Sequence, residues 1–208
     1  MIREAVVETF PEVVAAVNRG ADRIELCANM NVGGTTPSYG MVKCAVDYCH
    51  HMNVEVAVMI RPRGTFTYDV FEQEVMRQDI IEYTKLGADY FVCGALTADS
   101  SLDVLTLQKL MSVTHIPFVM HMAYDHIPKH QQLKAMDQLI ELGVIRLLTH
   151  GSADAATSIL DNISQLARLL VYSKGRLEIM PGGSLTKDNV EQLISQIPFQ
   201  EVHGTKIV

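Results

Sequence analysis

The residues able to do chemistry lie in short stretches scattered along the chain. "RIELCANMNVGGTTPSYG" (23–40) places Glu25 two residues before Cys27, ahead of a loop rich in Gly, Thr and Pro. "RPRG" (61–64) carries Arg61 and Arg63, and "HMAYD" (121–125) carries His121 and Asp125. "MPGG" (180–183) carries Gly182 and Gly183, His203 lies in "EVHGT" (201–205), and Glu8 follows the first apolar run. Carboxylates beside an arginine and histidines can move protons, bind an anion or take a metal. Paired glycines let backbone N–H groups approach an anion, and guanidinium groups complete such a site. Glu8, Glu25, His121, Asp125 and His203 are therefore the catalytic candidates. Arg61, Arg63, Gly182 and Gly183 are the substrate-binding candidates, and Cys27 is the candidate ligand for a soft metal ion.

These residues need a frame that brings them together. Apolar runs at 4–8, 23–27, 54–61, 90–94, 117–121, 144–149, 177–180 and 201–203 read as strands. Amphipathic stretches at 11–19, 38–52, 70–86, 102–113, 130–142, 153–170 and 186–196 read as helices, the last capped by Thr186 and the third stopped by Gly87. Gly-Ala-Asp recurs at 20–22 and 87–89, each time before a strand, as if one βα unit were reused. Eight such units make a (β/α)8 TIM barrel, with 1–208 as its single domain. The sequence runs five residues past the eighth strand, so the last helix is expected to be missing or truncated, with another subunit covering that edge. A doubly wound open sheet is the alternative, but no GxGxxG follows the first strand.

Side chains alternate along a strand, so one parity faces the helices and the other the barrel interior. In the third strand Val54, Val56, Val58 and Ile60 form the outward set, which leaves Glu55, Ala57, Met59 and Arg61 inside. The same test turns Glu4, Val6, Glu8, Arg23, Glu25, Cys27, His121, Arg146, Glu178, Glu201 and His203 inward. Glu8, Glu25, Arg61, His121 and His203 then fall at the C-terminal mouth, where barrel enzymes keep their active sites. Asp125 could orient His121. The competing reading is a salt-bridge network that fills the barrel. Glu4, Glu55, Glu178 and Glu201, lower down, are expected to be structural or solvated. Gly182 and Gly183 could equally make a tight turn. His126 and His130 are expected to be solvated loop residues, and His50, His51 and His115 to lie at the surface.

The remaining cysteines carry less. Cys44 and Cys49 are five residues apart, about 140° around a helix, and Cys93 shares the outward parity of Phe91. Cys27 faces inward, but beside Glu25 its thiol is not activated, and packing competes with ligation. A net charge of -7 argues against nucleic acid as a partner. No apolar run approaches the ~20 residues of a membrane span, and no export signal is visible. The expected compartment is the cytoplasm, where thiols stay reduced.

Taken in order, "RIELCANMNVGGTTPSYG", "VMIRPRG", "GADYFVCGALTADSSLD", "MPGG" and "EVHGT" resemble the CutC copper homeostasis family across nearly the whole chain. The resemblance implies a (β/α)8 barrel, a cytoplasmic protein, and copper tolerance or trafficking through binding of copper(I). It implies no organic cofactor. Glu8, Glu25, Cys27, Arg61, Arg63, His121, Asp125, Gly182, Gly183 and His203 match positions of the family's motifs. Met122 stands where the family has arginine, and His150 where it has serine. The first removes an anion-binding charge; together they add a thioether and an imidazole. Two functions remain open: a copper(I)-binding protein, or a barrel enzyme acting on a small anionic or phosphorylated metabolite. Either is expected to be a homo-oligomer.

Overall fold

The computed structural model describes residues 1–154 and 156–208. Residue 155, inside the helix expected over 153–170, lies outside the described residues. Eight strands are present: β1 (Ile2–Val7), β2 (Arg23–Leu26), β3 (Glu55–Met59), β4 (Tyr90–Cys93), β5 (Phe118–Met120), β6 (Arg146–Thr149), β7 (Glu178–Pro181) and β8 (Glu201–Gly204). Seven α-helices alternate with them: α1 (Phe10–Asn18), α2 (Tyr39–His51), α3 (Val70–Leu86), α4 (Val104–Met111), α5 (Gln132–Leu142), α6 (Ile163–Ser173) and α7 (Val190–Ile194). The strands pair in parallel in the order β7-β6-β5-β4-β3-β2-β1-β8. The result is a nearly closed TIM-type barrel, with no helix after β8 among the described residues. β7 and β8 meet at the seam by packing, where a methyl group on Gly182 would stand 3.0 Å from His203 Cδ2.

Local chemistry starts and stops the helices. Thr9 and Glu12 cap α1 reciprocally, and Asp69 and Glu72 do the same for α3. Gly87 ends α3 in the left-handed region at φ 87°, which a side chain would strain. The Gly-Ala-Asp repeat has a shared task. Asp22 accepts the Arg3 N–H at 2.8 Å, and Asp89 accepts the Val56 N–H at 2.7 Å, so each fixes its strand against the preceding one.

Strand alternation divides the core in two. Val56, Val58, Ile60, Phe91, Cys93, Phe118 and Val202 pack between strands and helices. Val6, Cys27, Ala57, Met59, Val92, Val119, Leu148 and Met180 fill the barrel interior. Two helix starts differ from the sequence reading. α7 begins at Val190 rather than at 186, because Lys187 donates its N–H to Lys206 O at 2.8 Å and ties that segment to the chain after β8. α6 begins at Ile163, behind a short 3-10 turn over Ile159–Asn162 capped by Ser158.

An ionic layer forms the floor of the barrel. Arg23, 1% exposed, bonds Glu4 and Glu201 and approaches Glu55, while Arg146 bonds Glu201. Both guanidinium groups lie over the Tyr90 ring, at 5.3 and 4.9 Å from its centroid. Buried charges are tolerable only when paired in this way. Arg23→Met removes the shared cation, and unfolding in urea is expected to show a loss of about 3–5 kcal/mol. A loss below about 1 kcal/mol would mean that the floor does not depend on these ion pairs.

Candidate functional site

A cavity of about 550 Å³ opens at the C-terminal mouth. Glu25, Cys27, Arg61, His121, Gly183 and His203 line it together with Met30, Met59, Phe66 and Met122. It therefore gathers charged and titratable groups from β2 and β8 and from the loops after β3 and β5 in an otherwise apolar chamber, the usual make-up of a small-molecule site.

Arg61 follows the end of β3 and is 3% exposed. Its Nη1 donates to the carbonyls of Val32, Gly33 and Gly34 at 3.1, 3.0 and 2.9 Å, and its Nε to Thr65 O at 3.2 Å. Phe66 lies beneath it, 4.5 Å from the guanidinium carbon to the ring centroid. Among the described residues no carboxylate pairs with it, and burial lowers its pKa. The loop over 32–34 is thus pinned to a cation whose charge is not met inside the protein.

His121 N-caps the 3-10 turn over Met122–His126, where its Nδ1 accepts the Ala123 N–H at 3.2 Å. Burial first, then the Arg61 charge, hold its pKa down at about 3. The ring is therefore neutral at pH 7, and the hydrogen-bond network puts its proton on Nε2. That Nε2 is buried and has no partner among the described residues. The ring fits because Gly94 follows β4, where a methyl group would lie 2.5 Å from His121 Cε1.

Opposite in chemistry stand Glu4, Glu25 and His203, all buried. His203 Nδ1 lies 2.8 Å from Glu4 Oε1 and 3.4 Å from Glu25 Oε2. Burial alone would raise Glu4, but the His203 hydrogen bond and Arg23 bring it down to about 2. Glu25 has weaker support, so burial prevails and its pKa stands at about 7. Burial pulls His203 down, but the two carboxylates outweigh it and raise its pKa. The Cys27 thiol donates to Glu25 Oε1 at 3.2 Å, and burial and that carboxylate push its pKa well up.

The structure separates the sequence candidates. Glu25, Cys27, Arg61, His121, Gly183 and His203 share the cavity. Glu8 is placed elsewhere: it is exposed and accepts the Met30 N–H at 2.9 Å, because the chain turns outward into α1 as soon as β1 ends. Arg63 is drawn outward to Glu72 at the start of α3. Asp125 does not orient His121. It accepts from Thr149 Oγ1, His150 N and Gly151 N at 2.5, 2.8 and 3.2 Å, and so shapes the turn after β6. Gly182 serves the β7–β8 seam. His126 is exposed but lines the cavity rim and packs on Phe66, 5.1 Å between ring centroids. Glu4, expected to be structural or solvated, is structural in its ion pair with Arg23 and in addition meets His203, its register partner on β8; the only sequence signal was its shared parity with Val6. Gly94 carried no sequence signal, since the need for it arises only where His121 packs.

A sequence profile of the CutC family matches residues 1–208. The chain belongs to the CutC family. It is 43% identical to family protein CutC of Streptococcus pyogenes serotype M6 over 210 residues, covering 100% of both chains. It is 37% identical to the human copper homeostasis protein cutC homolog, covering 97% of this chain and 72% of the human one. The crystal structure of CutC from Streptococcus agalactiae matches with a TM-score of 0.96 at 39% identity, covering 100% of both chains. The aldolase QR15, at TM-score 0.71 and 15% identity over 99% of this chain and 89% of that one, shares the fold alone. In this CutC chain, then, copper homeostasis is the family context, and the mouth cavity is where a ligand has residues to meet.

The low His121 pKa sets a stability window. The unfolded chain takes up this proton near the ordinary value of 6.5, whereas the folded chain resists until about 3. Stability is therefore expected to fall as pH drops from about 6.5 toward 3, and His121→Gln should lose less over that range in denaturant unfolding. Equal losses in both proteins, or an NMR titration in which His121 protonates near 6.5, would contradict a buried neutral ring.

Proposed function

We propose that this CutC-family chain is a cytoplasmic protein that binds a small anionic metabolite at the barrel mouth and acts on it by proton transfer. The observation that carries the reading is Arg61, a buried cavity-lining cation with carbonyl partners and no carboxylate among the described residues. Such a charge is offset best by an anion entering the cavity. The unpartnered His121 Nε2 adds a neutral donor. Glu25, with a pKa of about 7, can hold or release a proton at physiological pH, and His203 lies beside it. A phosphate or carboxylate group on Arg61 and His121, with the reacting carbon toward Glu25, uses every polar group of this wall. In a thermal-shift panel of phosphorylated and carboxylated metabolites, at least one is expected to raise Tm by several degrees in the wild type and by less than about 1 °C in Arg61→Leu. No shift with any member, or equal shifts in both proteins, would remove the reading.

A second reading has its own support. Cys27, Met30, Met59 and Met122 bring four sulfur atoms to one cavity, and thiolate and thioether donors suit copper(I). Copper(I) would be cargo here, taken by Cys27 with thioether help. The thiol proton already points to Glu25 Oε1, so the carboxylate can receive it as the thiolate binds. Competition with a copper(I) chelator in reducing buffer is expected to give one bound ion, lost in Cys27→Ala. Unchanged affinity in that variant would exclude Cys27 as the ligand.

A further inference from the structure

We propose that Glu4, Glu25 and His203 form a site for one divalent first-row metal ion of the zinc or manganese type. Each of the three residues, all buried, offers one ligand atom, and these atoms lie within 4.8 Å of one another. Three donors around a tetrahedral zinc ion, bound at about 2.0–2.1 Å, stand about 3.3 Å apart. The separations from His203 Nδ1, 2.8 and 3.4 Å, already bracket that value. Carboxylate oxygen and imidazole nitrogen suit zinc, manganese and iron(II) rather than copper(I), so this site is chemically distinct from the sulfur set.

The arrangement of the oxygens argues most strongly for it. Each carboxylate has one oxygen tied outward and the other turned toward His203 Nδ1. Arg23 Nε holds Glu4 Oε2, and the Cys27 thiol holds Glu25 Oε1. Outer partners of this kind orient ligands around a metal. Glu25 Oε2 has no hydrogen-bond partner among the described residues, although Glu25 is 1% exposed. Nδ1 already bonds Glu4 Oε1, so Glu25 Oε2, 3.4 Å away, keeps lone pairs that an ion between the groups would meet. A dication does so, and the two carboxylates match its charge. On binding, the Nδ1 proton leaves to solvent and the metal takes the lone pair that it frees. Glu25 and His203 line the cavity, so the ion can enter from the mouth and keep an open position there.

The inference goes beyond the anion reading and does not require it. Metal-free full-length protein would be titrated with Zn²⁺ and Mn²⁺ by calorimetry, and with Co²⁺ by visible absorption. One equivalent is expected to bind, at least tenfold more weakly in Glu25→Gln and in His203→Gln. Arg61→Leu, outside the trio, should keep the wild-type affinity within about threefold, even if it loses the anion. Circular dichroism melts of each variant separate a lost ligand from a lost fold. Should His203→Gln fail to fold, the near-isosteric Glu25→Gln decides. Wild-type binding weaker than about 1 mM, or equal affinity in Glu25→Gln, would overturn the site and leave the anion reading standing.

Discussion

Arg23 is the interaction on which the barrel depends. Turned inward by strand alternation, it would be an intolerable buried charge without Glu4 and Glu201, and it holds Glu4 in place beneath His203. The floor is therefore electrostatically closed: cations and carboxylates meet each other, and Tyr90 lies against both guanidinium groups. The mouth is not closed in this way. Among the described residues Arg61 has carbonyls and the Phe66 ring but no carboxylate, His121 Nε2 and Glu25 Oε2 have no hydrogen-bond partner, and the thiol of Cys27 rests on Glu25. One barrel thus has a lower half whose charges are ion-paired, although Arg146 Nη1 has no hydrogen-bond partner among the described residues, and an upper half where Arg61 faces no carboxylate. That difference turns a shared parity rule into a statement about function.

Much of this was legible in the sequence because period-two alternation is a strong signal wherever a strand is buried on both faces. The outward set Val54, Val56, Val58 and Ile60 lies in the core between strands and helices, and the alternate Ala57 and Met59 lie in the barrel interior. The Gly-Ala-Asp repeat likewise pointed to a reused unit, and its aspartates fix strand positions. What alternation could not give is depth and direction at strand ends. Glu8 has inward parity on paper, but β1 stops at Val7 and the chain bends into α1. Arg63 is two residues beyond Arg61, yet Glu72 draws it outside. Glu4 was read as part of the floor, because its pairing with His203 depends on the β1–β8 register, which no local pattern encodes. Gly94 was invisible for the same reason: its missing side chain matters only to His121 and Met120 at the end of the next strand.

The three proposed binding sets of the mouth follow different chemistries. Soft sulfurs belong to Cys27 and the methionines, hard oxygen and nitrogen donors to Glu4, Glu25 and His203, and anion-directed donors to Arg61 and His121. Glu25 joins the first two sets, since one of its oxygens accepts the Cys27 thiol and the other turns to His203. A thiol held neutral by burial and by this carboxylate is a poor nucleophile, which moves reactivity from Cys27 to the carboxylate and imidazole around it. The proposed copper(I), divalent-metal and anion readings thus share one carboxylate.

The central claim is that the charge of Arg61 is completed by an anion from outside the chain. The most direct test is a crystal structure of the wild-type protein grown with millimolar phosphate. The account predicts a tetrahedral anion within hydrogen-bond distance of the Arg61 guanidinium and His121 Nε2, inside the mouth cavity. Phosphate absent from that position, with Arg61 and His121 hydrogen-bonded only to water, would contradict it.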